Sequence, residues 1–63
     1  MTGTVKNTIT EKGYGFILSD GREYFFHSTE CITPFNSLTR DMNVKFDVRD
    51  SPKGKRAFNV EKV

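Results

Sequence analysis

The sequence has no tryptophan, one cysteine and two prolines among its 63 residues. A single cysteine forms no internal disulfide and cannot by itself provide the ligands of a zinc site. Long apolar runs are missing too: the longest are Phe16–Leu18 and Tyr24–Phe26, far short of the ~20 residues that span a membrane. Met1–Thr4 also lacks the basic and apolar pattern of a secretion signal. These absences predict a reduced, cytoplasmic protein without a membrane segment.

The chain also has no large excess of charge of one sign. Ten lysines and arginines stand against eight acidic residues, so the net charge is +2, a mild preference for polyanions. Hydrophobic residues make up 35% and charged residues 29%, as in a small folded domain rather than a disordered tail. A chain of this length has room for one core, so we expect a single domain over residues 1–63. We expect a monomer or a weak homodimer.

Alternation of apolar and polar residues predicts an all-β protein, because no window of a dozen residues repeats with the period of a helix. The five predicted strands are Val5–Thr10, Gly13–Ser19, Glu23–Ser28, Val44–Arg49 and Ala57–Glu61. Turn residues separate them at Glu11–Gly13, Asp20–Gly21 and Ser51–Gly54. The long link Thr29–Asp41 holds one predicted helical turn near Ser28–Ile32. Five short strands with one long link predict a small, closed or nearly closed antiparallel barrel.

The same alternation assigns inner and outer faces to the first and fifth strands. Val5 and Ile9 share one face of the first strand. Phe58 and Val60 share the inner face of the fifth strand. Arg56 has the same parity as these two, so it points outward only if it lies at the start of that strand.

On the third strand, Glu23, Phe25 and His27 share one face, and Tyr24 and Phe26 share the other. Glutamate and histidine are poor core residues. We therefore expect Tyr24 and Phe26 to point inward, which leaves Phe25 on the solvent side.

The parity of the second strand leaves two orientations open. Either Tyr14 and Phe16 lie in the core with glycine outside, or both rings lie outside and the glycines face inward where the barrel wall packs closely. Joining the second and third strands favours the latter, because Tyr14, Phe16, Phe25 and His27 then form one exposed patch. Exposed aromatic clusters usually mark binding surfaces.

Two segments carry a resemblance to a known family. Lys12–Ile17 resembles the first ribonucleoprotein motif of cold-shock domains, and Tyr24–Ser28 resembles the second. The resemblance continues through Phe35, Val44–Val48 and Ala57–Val60, and so covers nearly the whole chain in order. It implies a five-stranded antiparallel barrel of the oligonucleotide/oligosaccharide-binding type.

The resemblance also implies a function: binding of single-stranded RNA or DNA by base stacking, as in an RNA chaperone. It assigns the stacking platform to Tyr14, Phe16, Phe25 and His27. It adds a loop aromatic, Phe35, which either covers the barrel end or touches the ligand. The charged or hydrogen-bonding contacts along the strand fall to Lys6, Lys12, Lys53 and Arg56.

Departures from the family pattern support an alternative. Asn7 and Thr8 stand where cold-shock domains carry a tryptophan–phenylalanine pair, and Ser28 stands where an aromatic or glutamine is usual. Phe58 replaces a small residue and Tyr24 an aliphatic one, which predicts a core with bulkier side chains. Losing up to three aromatics would cost several kcal/mol of binding, at roughly 1–3 kcal/mol per base. The alternative is a cold-shock-like barrel that serves as a protein-interaction or self-association module.

Catalytic and cofactor chemistry find little support in the remaining residues. His27 and Cys31 are two ligands at most, and Cys31 is better explained as a small apolar residue under the long link. Ser28 follows His27 directly, so the two side chains lie on opposite strand faces, and no oxyanion hole accompanies them. Lys53–Lys55 lacks the spacing of a phosphate-binding loop. We expect neither an enzyme nor a bound cofactor or metal.

Overall fold

A computed structural model describes residues 1–63. The elements in chain order are strands β1 (Thr2–Ile9), β2 (Tyr14–Ser19) and β3 (Arg22–His27), two 3₁₀ turns (Ser28–Glu30 and Phe35–Ser37), and strands β4 (Asn43–Ser51) and β5 (Gly54–Lys62). All five predicted strands are present, and the helical turn expected near Ser28–Ile32 is the first 3₁₀ turn. Neither helical turn has the length to cross a membrane.

The strands close into a barrel in the order β1-β2-β3-β5-β4. Four of the five contacts between neighbouring strands are antiparallel. The fifth joins β3 to β5 in parallel, with Phe25 opposite Arg56. The all-β, five-stranded barrel predicted from the sequence is confirmed, and this parallel contact is what the link after β3 makes possible.

Two-residue turns close the β2–β3 and β4–β5 hairpins. Asp20 and Gly21 connect β2 to β3 with φ of 52° and 76°, the left-handed pair that a tight hairpin with right-handed twist requires. Pro52 and Lys53 connect β4 to β5, and Gly54 follows with φ of 117°. Both turns lie where glycine, proline and aspartate predicted them.

The core is a single cluster of apolar side chains inside the barrel. Its buried members are Val5, Ile17, Tyr24, Phe26, Leu38, Val44, Phe46, Ala57 and Val60. Tyr24 packs against Phe46 with ring centroids 5.5 Å apart, so the inward direction expected for Tyr24 is confirmed. Phe35 packs against Phe26 with ring centroids 5.9 Å apart and is half-buried against the core.

A bulge in β1 changes the face that its second half presents. Val5 pairs with Ile17, but the register shifts before Asn7, which pairs with Phe16. Ile9 then lies opposite Tyr14. The expectation that Val5 and Ile9 share a face is wrong, because one extra residue in a strand reverses the alternation after it.

A second bulge has the same effect in β5. Asn59 adopts φ of 53°, and the register against β4 shifts at this point. Ala57 and Val60 are both fully buried, and Phe58 between them lies outside the core. The prediction that Phe58 lies in the core is therefore wrong. Arg56 shares the outer face of Phe58 and needs no special position at the strand's start to point outward.

Candidate nucleic-acid interface

The alternation of rings and glycine in β2 is enforced by close packing at Gly15. A Cβ atom on Gly15 would lie 2.6 Å from the carbonyl oxygen of Asn7 and 2.8 Å from Cζ of Phe26. No side chain fits there, so Gly15 faces the core and its two neighbours, Tyr14 and Phe16, face outward. Of the two orientations that parity left open for β2, the structure shows the one with the rings outside.

Those rings meet two residues of β3. Phe16 pairs with Phe25, and Tyr14 pairs with His27. We call these four residues the aromatic face; all four are half-buried. Their inner edges pack on the sheet while the remainder faces solvent, which is unusual for large apolar side chains outside a binding surface.

Three rings of the aromatic face hold one another in place. The centroids of Tyr14 and Phe25 are 5.3 Å apart with 32° between the planes. Phe16 meets Phe25 edge-on at 5.9 Å and Tyr14 edge-on at 6.0 Å. Mutual contacts of this kind restrict the side-chain rotamers before any ligand arrives, which lowers the entropy lost on binding.

The imidazole of His27 is fixed by the turn that follows β3. Nδ1 accepts a hydrogen bond from the backbone N–H of Thr29 at 3.2 Å and lies 3.0 Å from the Thr29 hydroxyl. With Nδ1 used as an acceptor, the neutral ring carries its proton on Nε2. That N–H has no protein partner and remains a donor for a ligand.

Cys31 contacts His27 through the backbone rather than through the imidazole. Its Sγ lies 3.6 Å from the carbonyl oxygen of His27, to which the thiol donates. Burial, and secondarily the carboxylate of Glu30, raises the pKa of Cys31 to about 11. The thiol is therefore neutral and packs against the core, as expected for a small apolar residue under the long link.

A row of paired residues continues the aromatic face across its neighbours. Asn7 on β1 lies opposite Phe16, and Arg56 on β5 lies opposite Phe25. The guanidinium of Arg56 is 5.2 Å from the centroid of Phe25, within cation–π range. Thr8 pairs with the inward-facing Gly15, so of the two first-strand departures only Asn7 lies on the side of the rings.

The predicted basic residues occupy different positions around the aromatic face. Lys53 and Arg56 line a groove of about 600 Å³ together with Phe25 and His27. Lys12 is exposed in the turn before Tyr14. Lys6 is bound to Glu23, with Nζ and Oε1 2.9 Å apart. The structure thus brings Lys53 and Arg56 to the rings and gives Lys6 an acidic partner.

Two residues near this surface escaped the sequence predictions. The guanidinium of Arg49 lies 4.3 Å from the ring centroid of Phe58, on the outer face of β4 and β5. Arg49 alternates with the buried Val44 and Phe46 on β4, so that alternation could have indicated its outward direction. No pattern indicated Phe58, because its direction depends on the bulge at Asn59.

The comparisons with known proteins agree with this architecture. Residues 1–63 match the family described as the 'Cold-shock' DNA-binding domain. A relative in Mycobacterium tuberculosis, named "Probable cold shock protein A", is 44% identical over 92% of this chain and 91% of its own length. A cold shock-like protein of Bacillus anthracis is 40% identical over 100% of this chain and 97% of its own length. The major cold shock protein of a Streptococcus pyogenes strain is 38% identical, over 97% and 94% respectively.

Both the fold and the motifs of β2 and β3 lie within the matched region. Cold-shock domains are nucleic-acid-binding modules rather than enzymes, which agrees with the expectation of a binding protein. From the match over its full length and from these relatives, the chain belongs to the cold-shock domain family.

Proposed function

We propose that this chain binds single-stranded RNA or DNA by stacking unpaired bases on the aromatic face. The observation that carries the proposal is the arrangement of three rings and an imidazole, outward from adjacent strands, beside a basic groove. Every base has a π-face, so such a platform tolerates many sequences. Bases in a duplex are already stacked on one another, and single strands are therefore the preferred ligand.

The four positions of the aromatic face hold about three or four bases, each worth roughly 1–3 kcal/mol. Phe25 differs from the other rings because the guanidinium of Arg56 lies over it. A base arriving at Phe25 either displaces the guanidinium or stacks on its outer surface. Since guanidinium planes also stack on bases, both arrangements retain an attractive contact at this position.

Charge supports the stacking from one side. Lys53 and Arg56 line the groove next to Phe25, and Lys12 stands before Tyr14. Each phosphate that the protein neutralises releases counterions. This release makes the slope of log K against log salt more negative by about 0.7 for a single strand. Lys6 contributes less, because the carboxylate of Glu23 offsets its charge.

Binding of this kind would also let the barrel open RNA hairpins without ATP. A protein that binds the melted form shifts the equilibrium toward it by mass action. An RNA-chaperone role needs no catalytic group, only moderate and reversible affinity for unpaired segments. Rings spread over two neighbouring strands meet that need, because bases can leave one at a time.

A titration of labelled oligothymidine against a hairpin duplex of matched length tests the proposal. We expect tighter binding to the single strand and a roughly tenfold loss in Phe25→Ala and Phe16→Ala, the equivalent of about 1.4 kcal/mol per lost contact. Ile32→Ala is the matched control, since Ile32 is 58% exposed and lies outside the aromatic face. Circular dichroism verifies that each variant is folded.

Equal affinity for the duplex, or ring variants that bind like the parent, would contradict the proposal. Failure of the parent to bind single strands below about 100 μM at low salt, the weak end of non-specific binding, would favour the protein-interaction or self-association alternative. Sedimentation at two protein concentrations then distinguishes a monomer from a weak homodimer.

A further inference from the structure

Two arginines lie opposite each other on the outer surface of β4 and β5. Arg49 and Arg56 are direct cross-strand partners. Like charges opposite each other in an antiparallel pair are destabilising. Neither arginine forms an ion pair with a carboxylate; the ion pairs of the structure are Lys6–Glu23, Lys45–Glu61 and Lys55–Asp50. An anion bound between the two guanidinium groups would relieve their repulsion.

Phe58 gives this pair of charges a stacking element. The guanidinium of Arg49 lies 4.3 Å from the centroid of Phe58, so the ring holds it in place by a cation–π contact. A guanidinium held this way still has a second π-face for a base and N–H donors for a phosphate. Phe58 is available for this contact only because the bulge at Asn59 turns it out of the core.

A small depression of about 80 Å³ lies beside these residues. Its lining contains Arg49, Arg56 and Phe58, with Glu30 as the only acidic side chain. Two arginines against one glutamate leave a positive balance of one charge. Glu30 forms no ion pair with either arginine, so the guanidinium groups are not neutralised locally.

The depression is continuous with the aromatic face. Phe25 lies opposite Arg56, and Arg56 lies opposite Arg49. At the usual strand spacing, Arg49 is roughly 10 Å from Phe25, a step of about one or two nucleotides along an extended strand. This surface, from Phe25 through Arg56 to Arg49, ends at Asp47, the partner of Phe58 on β4. The carboxylate of Asp47 repels phosphates.

Resting on the function proposed above, we propose that Arg49 and Phe58, together with Arg56, form an additional nucleotide subsite on β4 and β5. It binds the phosphate and base that follow those on the aromatic face. A strand long enough to cross from Phe25 to Arg49 uses both surfaces, and a shorter one uses the rings alone.

Oligothymidine tetramers and octamers, labelled at one end, separate the two surfaces. We expect Arg49→Ala and Phe58→Ala to weaken octamer binding roughly five- to tenfold and to leave tetramer binding within about twofold. Arg49→Ala also makes the octamer's salt slope shallower by about 0.7. The matched control is Lys45→Ala, which removes the same charge four residues earlier on β4 and leaves the ratio of the two affinities unchanged.

Arg49→Lys separates stacking from charge at the same position. It keeps the positive charge and therefore the salt slope, but its ammonium group does not stack like a guanidinium. We expect octamer binding by this variant to lie between the parent and Arg49→Ala. An Arg49→Lys variant that binds the octamer as tightly as the parent would contradict the subsite, since charge alone would then suffice.

Equal losses for tetramer and octamer, or no loss for either, would also overturn the subsite, while tetramer binding that depends on Phe25 would still support the aromatic face. A parent that binds neither length would instead overturn the proposed function, and the subsite with it.

Discussion

Two of the barrel's three hairpins, β2–β3 and β4–β5, share one construction and present different chemistry. Both are antiparallel, and both close with a two-residue turn, at Asp20–Gly21 and at Pro52–Lys53. The outer side of β2–β3 carries three rings and an imidazole, whereas that of β4–β5 carries guanidinium and ammonium groups around the one ring of Phe58. The parallel contact between Phe25 and Arg56 brings the two sides together. The β2–β3 hairpin thus supplies most of the rings and the β4–β5 hairpin most of the positive charge, and the barrel closure makes them neighbours.

The hairpins also differ in how regular their strands are. β2 alternates without interruption because Gly15 lies against both Asn7 and Phe26 and tolerates no side chain. β5 contains a bulge, so Ala57 and Val60 both point inward and Phe58 points outward. The sequence of a regular strand shows which residues share a face, and that of a bulged strand does not, because the extra residue is visible only against its partner.

The largest effect that we expect is a difference in stability loss between an alanine substitution of Gly15 on β2 and one of Gly54 on β5. Gly15→Ala forces a Cβ to within 2.6 Å of a backbone oxygen and should destabilise the fold by about 3 kcal/mol. Gly54→Ala meets no atom within 4 Å and suffers only its positive φ, a cost of about 1–2 kcal/mol. Urea unfolding followed by circular dichroism measures both.

A chain of this length has a stability of roughly 3–9 kcal/mol, so Gly15→Ala should lose much of its cooperative transition. Similar midpoints for Gly15→Ala and Gly54→Ala would show that close packing does not enforce the orientation of the rings.

We expect an intermediate effect on single-strand affinity from adding a ring beside the aromatic face. Asn7 is exposed and lies opposite Phe16, so Asn7→Trp adds a ring to the row and should tighten single-strand binding roughly tenfold, about 1.4 kcal/mol. Ile32→Trp introduces the same fluorophore away from the aromatic face and should leave affinity unchanged. Labelled oligothymidine gives the affinities of both variants, and tryptophan quenching that is equal in the two would contradict the placement of Asn7.

The smallest effect that we expect is a pH dependence of stability from Cys31, which lies between the ends of β3 and β5. Cys31 bridges to Val60 of β5 and donates to the carbonyl oxygen of His27 at the end of β3. The folded chain raises the thiol's pKa from 9.0 to about 11, so the native state stays protonated where the unfolded chain ionises. The free energy of unfolding should therefore fall slightly as pH rises from about 9 towards 11.

Cys31→Ala is the control for that pH dependence, since lysines and tyrosines titrate in the same range. Urea midpoints of the parent should decline more steeply over this window than those of the variant. Parallel declines would show that the thiol's burial does not affect stability.

Much of the fold was accessible from local patterns. Alternation predicted the strands, Asp20–Gly21 predicted a tight hairpin, and the polar neighbours of Phe25 predicted its outward direction. The resemblance of Lys12–Ile17 to a cold-shock motif then favoured the rings of β2 as part of the same surface. Each of these signals lies within a few neighbouring residues, where side-chain direction follows directly from position in the strand.

The errors came from contacts between distant segments. Ile9 and Phe58 were assigned to the wrong faces because bulges reversed the alternation of β1 and β5. Lys6 stays a predicted ligand contact, and its ion pair with Glu23 on β3 was not foreseen. None of these three outcomes has a signature in the residues immediately around it.

The sequence by itself determined an all-β barrel and the outward direction of Phe25, because period-two alternation and turn residues act over short distances. Close packing at Gly15 decided that Tyr14 and Phe16 also face outward. Only the tertiary structure decided that Arg56 lies over Phe25, that Arg49 lies opposite Arg56, and that Phe58 leaves the core. Those relations depend on strand register and barrel closure, which arise when segments far apart in the chain pack around one core.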